Sequence, residues 1–292
     1  MSLRPKSLVA SSIPVLVALS LAWSDLASVS GKFRWIPAIC CLGFAMLAQA
    51  SANLINDYAD FVKGADGPDR VRSLSTVASG LISPRAILIA TLCTLTLACC
   101  FGLGTIPYGG WVAVAVGIVS CVFCLLYSAG PFPFAYNGLG DVLVVAFFGF
   151  VAVGFTYYLQ TDALTLDAAL LGLGVGFAVD SILIANNYCD REEDRAHRKF
   201  TLIAIFGERF GRYFYLANGL LVVVTLALVF WRRNTLLSVM SLVTLGVYLA
   251  LHLQAWVTLA RIRSGPELGK LLILSGRNVV VLGILLVFAL TA

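Results

Sequence analysis

The chain has 292 residues, 60% of them hydrophobic and 12% charged, with a mean hydropathy of +0.94. A soluble domain runs near half apolar and a quarter charged. One core of this size cannot hide that excess, so lipid bilayer covers much of the surface. This excludes a soluble enzyme, a disordered chain and a secreted disulfide scaffold. The net charge of +5 is too small to form the basic field that binds nucleic acid.

Apolar runs long enough to cross a bilayer fall at 8–24, 35–55, 86–106, 110–128, 139–160, 168–188, 212–231, 236–259 and 271–291. They predict an all-α, polytopic membrane protein of nine helices, in a single domain over 1–292. The first run follows Arg4 and Lys6 as a secretory leader would. It is read as a membrane helix because the rest of the chain is embedded as well. Gly109-Gly110 and Pro131-Phe132-Pro133 punctuate connections. Only two connections are long and strongly polar, 56–85 and 189–211.

Lysine and arginine set the orientation. Lys32, Arg34, Arg232 and Arg233 fall on one side and Arg277 within the last helix. The other fifteen of the twenty basic residues fall on the opposite side. That side is read as cytoplasmic, and it carries the N-terminus and both polar connections. The eight cysteines, Cys189 apart, lie in apolar runs, where thiols act as small hydrophobes. Cys121-x-x-Cys124 has no second pair or nearby histidine to complete a zinc set.

The first polar connection opens with Asn53, Asn56, Asp57, Asp60, Lys63 and Asp66. If the second helix continues past the membrane face, Asn53, Asp57 and Asp60 share one stripe at i, i+4 and i+7. Asp66 follows a glycine and can fold back toward it. The second connection sets Asn187, Asp190 and Asp194 at i, i+3 and i+7, again after an even-numbered helix. Carboxylate and amide oxygens without histidine or thiolate suit a hard divalent cation, best Mg²⁺. Magnesium held by few carboxylates keeps positions that phosphate oxygens fill. Lys63, Arg72, Arg195 and Lys199 are placed to neutralise remaining phosphate charge. A diphosphate at the membrane face with its organic tail in the bundle fits both environments. One such cluster alone would read as solvated juxtamembrane charge; two matched ones favour the metal–diphosphate reading.

Other polar residues are less specific. Asp180 lies roughly 15 Å of helix before Asp190, a depth at which an acid is either functional or a hydrogen-bonded packing group. Asp141, near the start of the fifth helix, reads equally as a helix N-terminal acid. His252 reads as an interhelical packing residue. Tyr127 and Tyr136, beside the Gly-Pro connection, are candidates to face a cationic intermediate.

Segments 53–69 (NLINDYADFVKGADGPD) and 186–202 (NNYCDREEDRAHRKFTL) resemble the two aspartate-rich motifs of the UbiA superfamily of intramembrane prenyltransferases. With the stretch 127–160, they resemble most the members acting on 1,4-dihydroxy-2-naphthoate in menaquinone synthesis. The resemblance implies nine helices around a cavity capped on the cytoplasmic side of a bacterial inner membrane. It implies Mg²⁺ bridging a polyprenyl diphosphate to Asn56, Asp57, Asp60, Asp66, Asn187, Asp190 and Asp194. Lys63 and Lys199 would be cationic helpers. Asp141 and Tyr136 would position the aromatic acceptor or take up a proton. Two positions depart from the pattern: Ser75 and Phe200 stand where many relatives carry arginine. The competing classes are a superfamily member acting on 4-hydroxybenzoate and, more distantly, a secondary transporter.

Overall fold

The computed structural model describes residues 5–64, 77, 79–262 and 265–291. Among them nine helices are long and apolar enough to cross a membrane. They are α1 (Pro5–Ser28), α2 (Trp35–Val62), α3 (Pro84–Leu103), α4 (Ile106–Leu126), α5 (Gly140–Thr161), α6 (Leu166–Ala196), α7 (Leu202–Arg232), α8 (Val239–Arg261) and α9 (Gly269–Thr291). Asp66, Arg70, Arg72 and Ser75 lie outside the described residues.

Helix starts are written locally. The side chains of Ser83, Thr165, Thr201 and Ser238 each accept a hydrogen bond from the backbone N–H three residues on, which satisfies an orphan donor of the first turn. Two expected boundaries move. Helix α6 runs to Ala196 and α7 begins at Leu202, so the polar connection expected over 189–211 shrinks to 197–201. The reason is that a helix leaving the membrane keeps its backbone bonds in water, so falling hydropathy does not end it. Thr201 caps the next helix, and Gly207, at φ +85°, breaks its direction just before the charged turn Glu208-Arg209.

Buried apolar residues from α1, α5, α6, α7, α8 and α9 form the main core, with Val17, Leu21, Leu171, Val222 and Phe230 at its centre. Helix α1 packs against α9 and α2 within this bundle, as a membrane helix of the folded protein would. Ile89, Leu92, Val122, Val224 and Phe288 are exposed on the outside, where lipid replaces water as their solvent.

Lipid supplies no hydrophobic force between helices, so close backbone contact does that work. Helices α5 and α6 meet through glycines. A Cβ on Gly149 would lie 2.5 Å from the Gly172 carbonyl oxygen, and one on Gly176 would lie 2.8 Å from that of Val145. Residues Val145–Phe155 of α5 are π-wound, an expanded winding that recurs at functional sites. His252 is, as expected, a packing residue. It lies against Gly219, its Nε2 meets the Tyr215 carbonyl at 2.9 Å, and its ring stacks on Tyr215 with centroids 4.5 Å apart.

At the pole away from the acidic motifs, charges pair off. Arg34 binds Asp162. Arg232 binds Asp167, and Arg233 binds Asp25, which also accepts from the Tyr157 hydroxyl at 2.7 Å. Acids and bases there hold α1, α2, α5, α6 and α7 in place.

Because the Gly149 contact is backbone against backbone, a Gly149→Ala change cannot be absorbed by rotating a side chain. It is expected to cost roughly 1–3 kcal/mol, seen as a lower melting temperature in detergent. Gly246→Ala, with nothing within 4 Å, should leave the melting temperature unchanged. Equal values for the two variants would refute the contact.

Candidate active site

Between the helices lies a cavity of about 960 Å³, large for a ligand pocket. Its walls are mostly apolar, including Phe44, Phe123, Phe147, Phe148 and Phe155. Ser7, Gln49, Asn53, Asn56 and Asn186 bring amides and a hydroxyl to its polar end. That end is where α2 and α6 carry their acids.

The conditional stripe on α2 forms, since the helix runs on to Val62 and buries Asn53, Asp57 and Asp60. Asn53 donates to Ser7 Oγ at 2.8 Å and accepts from Gln49 Nε2 at 3.0 Å, tying α1 to α2. On α6 the matching stripe of Asn187, Asp190 and Asp194 is buried too. The two stripes act on each other: Asp60 and Asp190 are among the charges felt by Asp194.

Tyr136 joins them. Its hydroxyl donates to Asp60 Oδ1 at 2.7 Å, and its backbone carbonyl accepts from Phe200 N–H at 2.9 Å. Lys63 Nζ sits 3.8 Å from the Tyr136 ring centroid and Lys199 Nζ 5.4 Å from it. Lys199 also pairs with Asp194 Oδ1 at 3.4 Å. One tyrosine thus touches an acid of the first motif and both lysines. Partial burial lowers the pKa of Lys63, which Asp60 opposes and Lys199 reinforces.

Arg195, expected among the diphosphate cations, is turned away. Its Nε and Nη2 donate to the Ala204 carbonyl at 3.1 and 2.8 Å, and Nη1 lies 3.8 Å from Glu192. One residue beyond Asp194, it is rotated about 100° around the helix, off the acidic stripe. Phe200 is half exposed. Cys121 faces Cys99 at 3.6 Å while Cys124 donates to the Ala48 carbonyl, so the C-x-x-C thiols point to separate neighbours.

The donor set fits a hard cation: every candidate is an oxygen. Asp194 Oδ2 is buried with no hydrogen-bond partner among the described residues, which costs free energy unless a cation or donor reaches it. Among the described residues no three acids, histidines or cysteines are grouped so that they could hold a metal ion by themselves. An open arrangement split between two helices suits magnesium, which takes one or two carboxylates and completes its shell with phosphate and water.

Sequence reasoning passed over Ser7, Gln49 and Asn186. Gln49 is readable in retrospect, standing one turn before Asn53 on the same stripe. Ser7 has no such signal, because only the packing of α1 brings it to Asn53.

An integral membrane protein with two acidic helices at the mouth of an apolar cavity is the class that fold and site define. The chain belongs to the UbiA prenyltransferase family, whose pattern it matches over residues 11–267, and is an enzyme that transfers prenyl groups. The 1,4-dihydroxy-2-naphthoate octaprenyltransferase of Escherichia coli K12 is 33% identical over 213 residues, 71% of this chain and 68% of its own length. The protein of the same name from Mycobacterium leprae is 30% identical over 99% of this chain and 94% of its own. A UbiA homologue from Archaeoglobus fulgidus, solved bound to DMAPP and Mg²⁺, superposes with a TM-score of 0.63 at 16% identity, covering 99% of this chain and 97% of that one.

Tyr136→Phe keeps the ring under the two lysines but removes the bond to Asp60. A hydrogen bond to a charged group contributes about 1.5–3 kcal/mol, so kcat for prenyl transfer is expected to fall about tenfold or more. Helical circular dichroism should not change. A wild-type rate in the folded variant would show that this bond does not organise the site.

Proposed function

We propose that the chain transfers a polyprenyl group from polyprenyl diphosphate to 1,4-dihydroxy-2-naphthoate, with loss of CO₂, giving demethylmenaquinol, the hydroquinone whose later oxidation outside this site yields demethylmenaquinone. The observation that carries this reading is the junction of two acidic helices with a large apolar cavity. A charged head and a long isoprenoid tail need those two environments side by side. The choice of acceptor rests on the relatives of that name. The whole chain acts as one domain, with the acidic pole facing the cytoplasm across a bacterial inner membrane.

Mg²⁺ would be held by Asp57, Asp60, Asp190 and Asp194, with Asp66 as a further acid. When bound it supplies positive charge to the diphosphate oxygens as the allylic C–O bond breaks. Lys63, Lys199 and Arg72 add charge at the same oxygens. Asn56 and Asn187 supply amide donors, while Asn53 fixes the wall beside them. Phenylalanines of the cavity keep water from the allylic carbon. Tyr136 orients Asp60 and presents its ring to developing positive charge. The acceptor ring attacks the allylic carbon, the C–O pair departs with diphosphate, and the carboxylate leaves as CO₂ to restore aromaticity. Asp141 stands where it can take up a proton from the acceptor.

Two measurements test this. Membranes containing the protein, given labelled prenyl diphosphate and 1,4-dihydroxy-2-naphthoate, should form prenylated naphthoquinol, read as its quinone after air oxidation, with Mg²⁺ and none after EDTA. A parallel reaction with 4-hydroxybenzoate should stay blank, and product there alone would overturn the acceptor. Asp57→Asn and Asp190→Asn should each lower turnover by about a hundredfold or more while the protein still inserts. Near-normal activity in both would sink the metal reading.

A further inference from the structure

Beside the large cavity is a small polar chamber of about 30 Å³, room for one hydroxyl-sized group. Asn56, Tyr127, Asp141, Asn186, Asn187 and Lys199 line it. Asn56, Tyr127 and Asn186 also line the large cavity, so the chamber opens from its polar end. Asp141 is 5% exposed and, among the described residues, its Oδ1 has no hydrogen-bond partner. Asp180, 1% exposed, likewise has an unpartnered Oδ1. The two carboxyls act on each other electrostatically, and both act on the Tyr127 hydroxyl.

This proximity is built in. Gly176 and Val145, whose backbones touch, stand one helical turn from Asp180 and Asp141 respectively. The closest approach of α5 to α6 therefore brings these two acids together. Gly140 leaves space for Tyr127, whose Oη would lie 3.3 Å from a Cβ at that position. An unpaired buried carboxylate is costly, and two of them beside each other in apolar surroundings do not both ionise. Packing alone gives no reason to keep a second acid here, since an apolar residue would fill the same space without that cost.

We propose that Asp180 is a positioning residue for the acceptor: beside Asp141 it limits the pair to a single negative charge, and so makes the chamber lined by Asp141 a receptor for an ionisable ring hydroxyl. The inference rests on the proposed aromatic acceptor and deepens that reading. Asp141 Oδ1 takes the hydroxyl proton as the oxygen lone pair moves into the ring. The ring carbon bonds to the allylic carbon as the C–O bond to diphosphate breaks, its electron pair leaving with diphosphate. Loss of CO₂ returns the C–C pair to the ring, and the proton goes back from Asp141 to the oxygen. Tyr127, held protonated first by burial and then by the surrounding carboxylates, is a donor to the same oxygen.

The test compares purified wild type, Asp180→Leu and Asp180→Asn for two readouts. These are Mg²⁺-dependent binding of geranyl diphosphate, and kcat and KM for 1,4-dihydroxy-2-naphthoate. Asp180→Leu should lower kcat/KM for the acceptor about tenfold or more, with geranyl diphosphate affinity within about twofold of wild type. Asp180→Asn, which keeps an uncharged donor, should stay within about threefold of wild type. Wild-type acceptor kinetics in Asp180→Leu would overturn the inference. So would parallel loss of diphosphate binding, which marks a structural role. If the leucine variant does not fold, a tenfold loss in folded Asp180→Asn overturns it equally. A wild type that binds geranyl diphosphate yet makes no naphthoquinone would overturn the acceptor reading and this inference together, a result distinct from a change confined to the variants.

Discussion

The contact between the Tyr136 hydroxyl and Asp60 is where the two halves of the acidic pole become one site. Tyr136 comes from the short 3₁₀ turn Phe134–Tyr136 between α4 and α5, and so belongs to neither acidic helix. Its hydroxyl is bonded to α2, its carbonyl to the segment after α6, and its ring carries both lysines. Carboxylates gathered on two facing helices repel one another, and lysines drawn in beside them lose hydration. A ring that offers a hydrogen bond to an acid and a π face to a cation lets both signs of charge stay buried together.

The rest of the bundle serves that pole. Ion pairs at the opposite end hold the helices there, and the glycine contacts of α5 and α6 fix their spacing. The aromatic cavity lies between. Some polar groups inside the bundle find partners close by: Tyr215 with Ser275, Asn218 with Ser181 and the Phe177 carbonyl. Among the described residues, buried oxygens of Asp141, Asp180 and Asp194 have no hydrogen-bond partner, and neither do the Tyr248 hydroxyl and His252 Nδ1.

Much of this was legible along the chain. Hydropathy located all nine spans because a bilayer demands about twenty apolar residues in succession. The two acid stripes were legible because helical periodicity survives the membrane face. The extent of α6 and the early start of α7 were not, since hydropathy reports the solvent around a helix and not the continuity of its backbone bonds. Arg195 misled for a related reason: adjacency in sequence to Asp194 puts it on another face of the helix. Ser7 was invisible, since no local pattern connects a residue of α1 to Asn53.

The sequence by itself determined that the protein lives in the membrane, how many times it can cross, and that two acid-bearing helices end on one side. These follow from solvent preference and periodicity, which act over a turn or a span at a time. Only the tertiary structure decided that Tyr136 bridges the motifs, that Arg195 faces α7, and that Asp180 is brought near Asp141. Each depends on how parts far apart in the chain pack together, and for α5 and α6 that approach is set by where glycines permit backbone contact. Such an approach is a property of the packed pair, carried by neither helix alone.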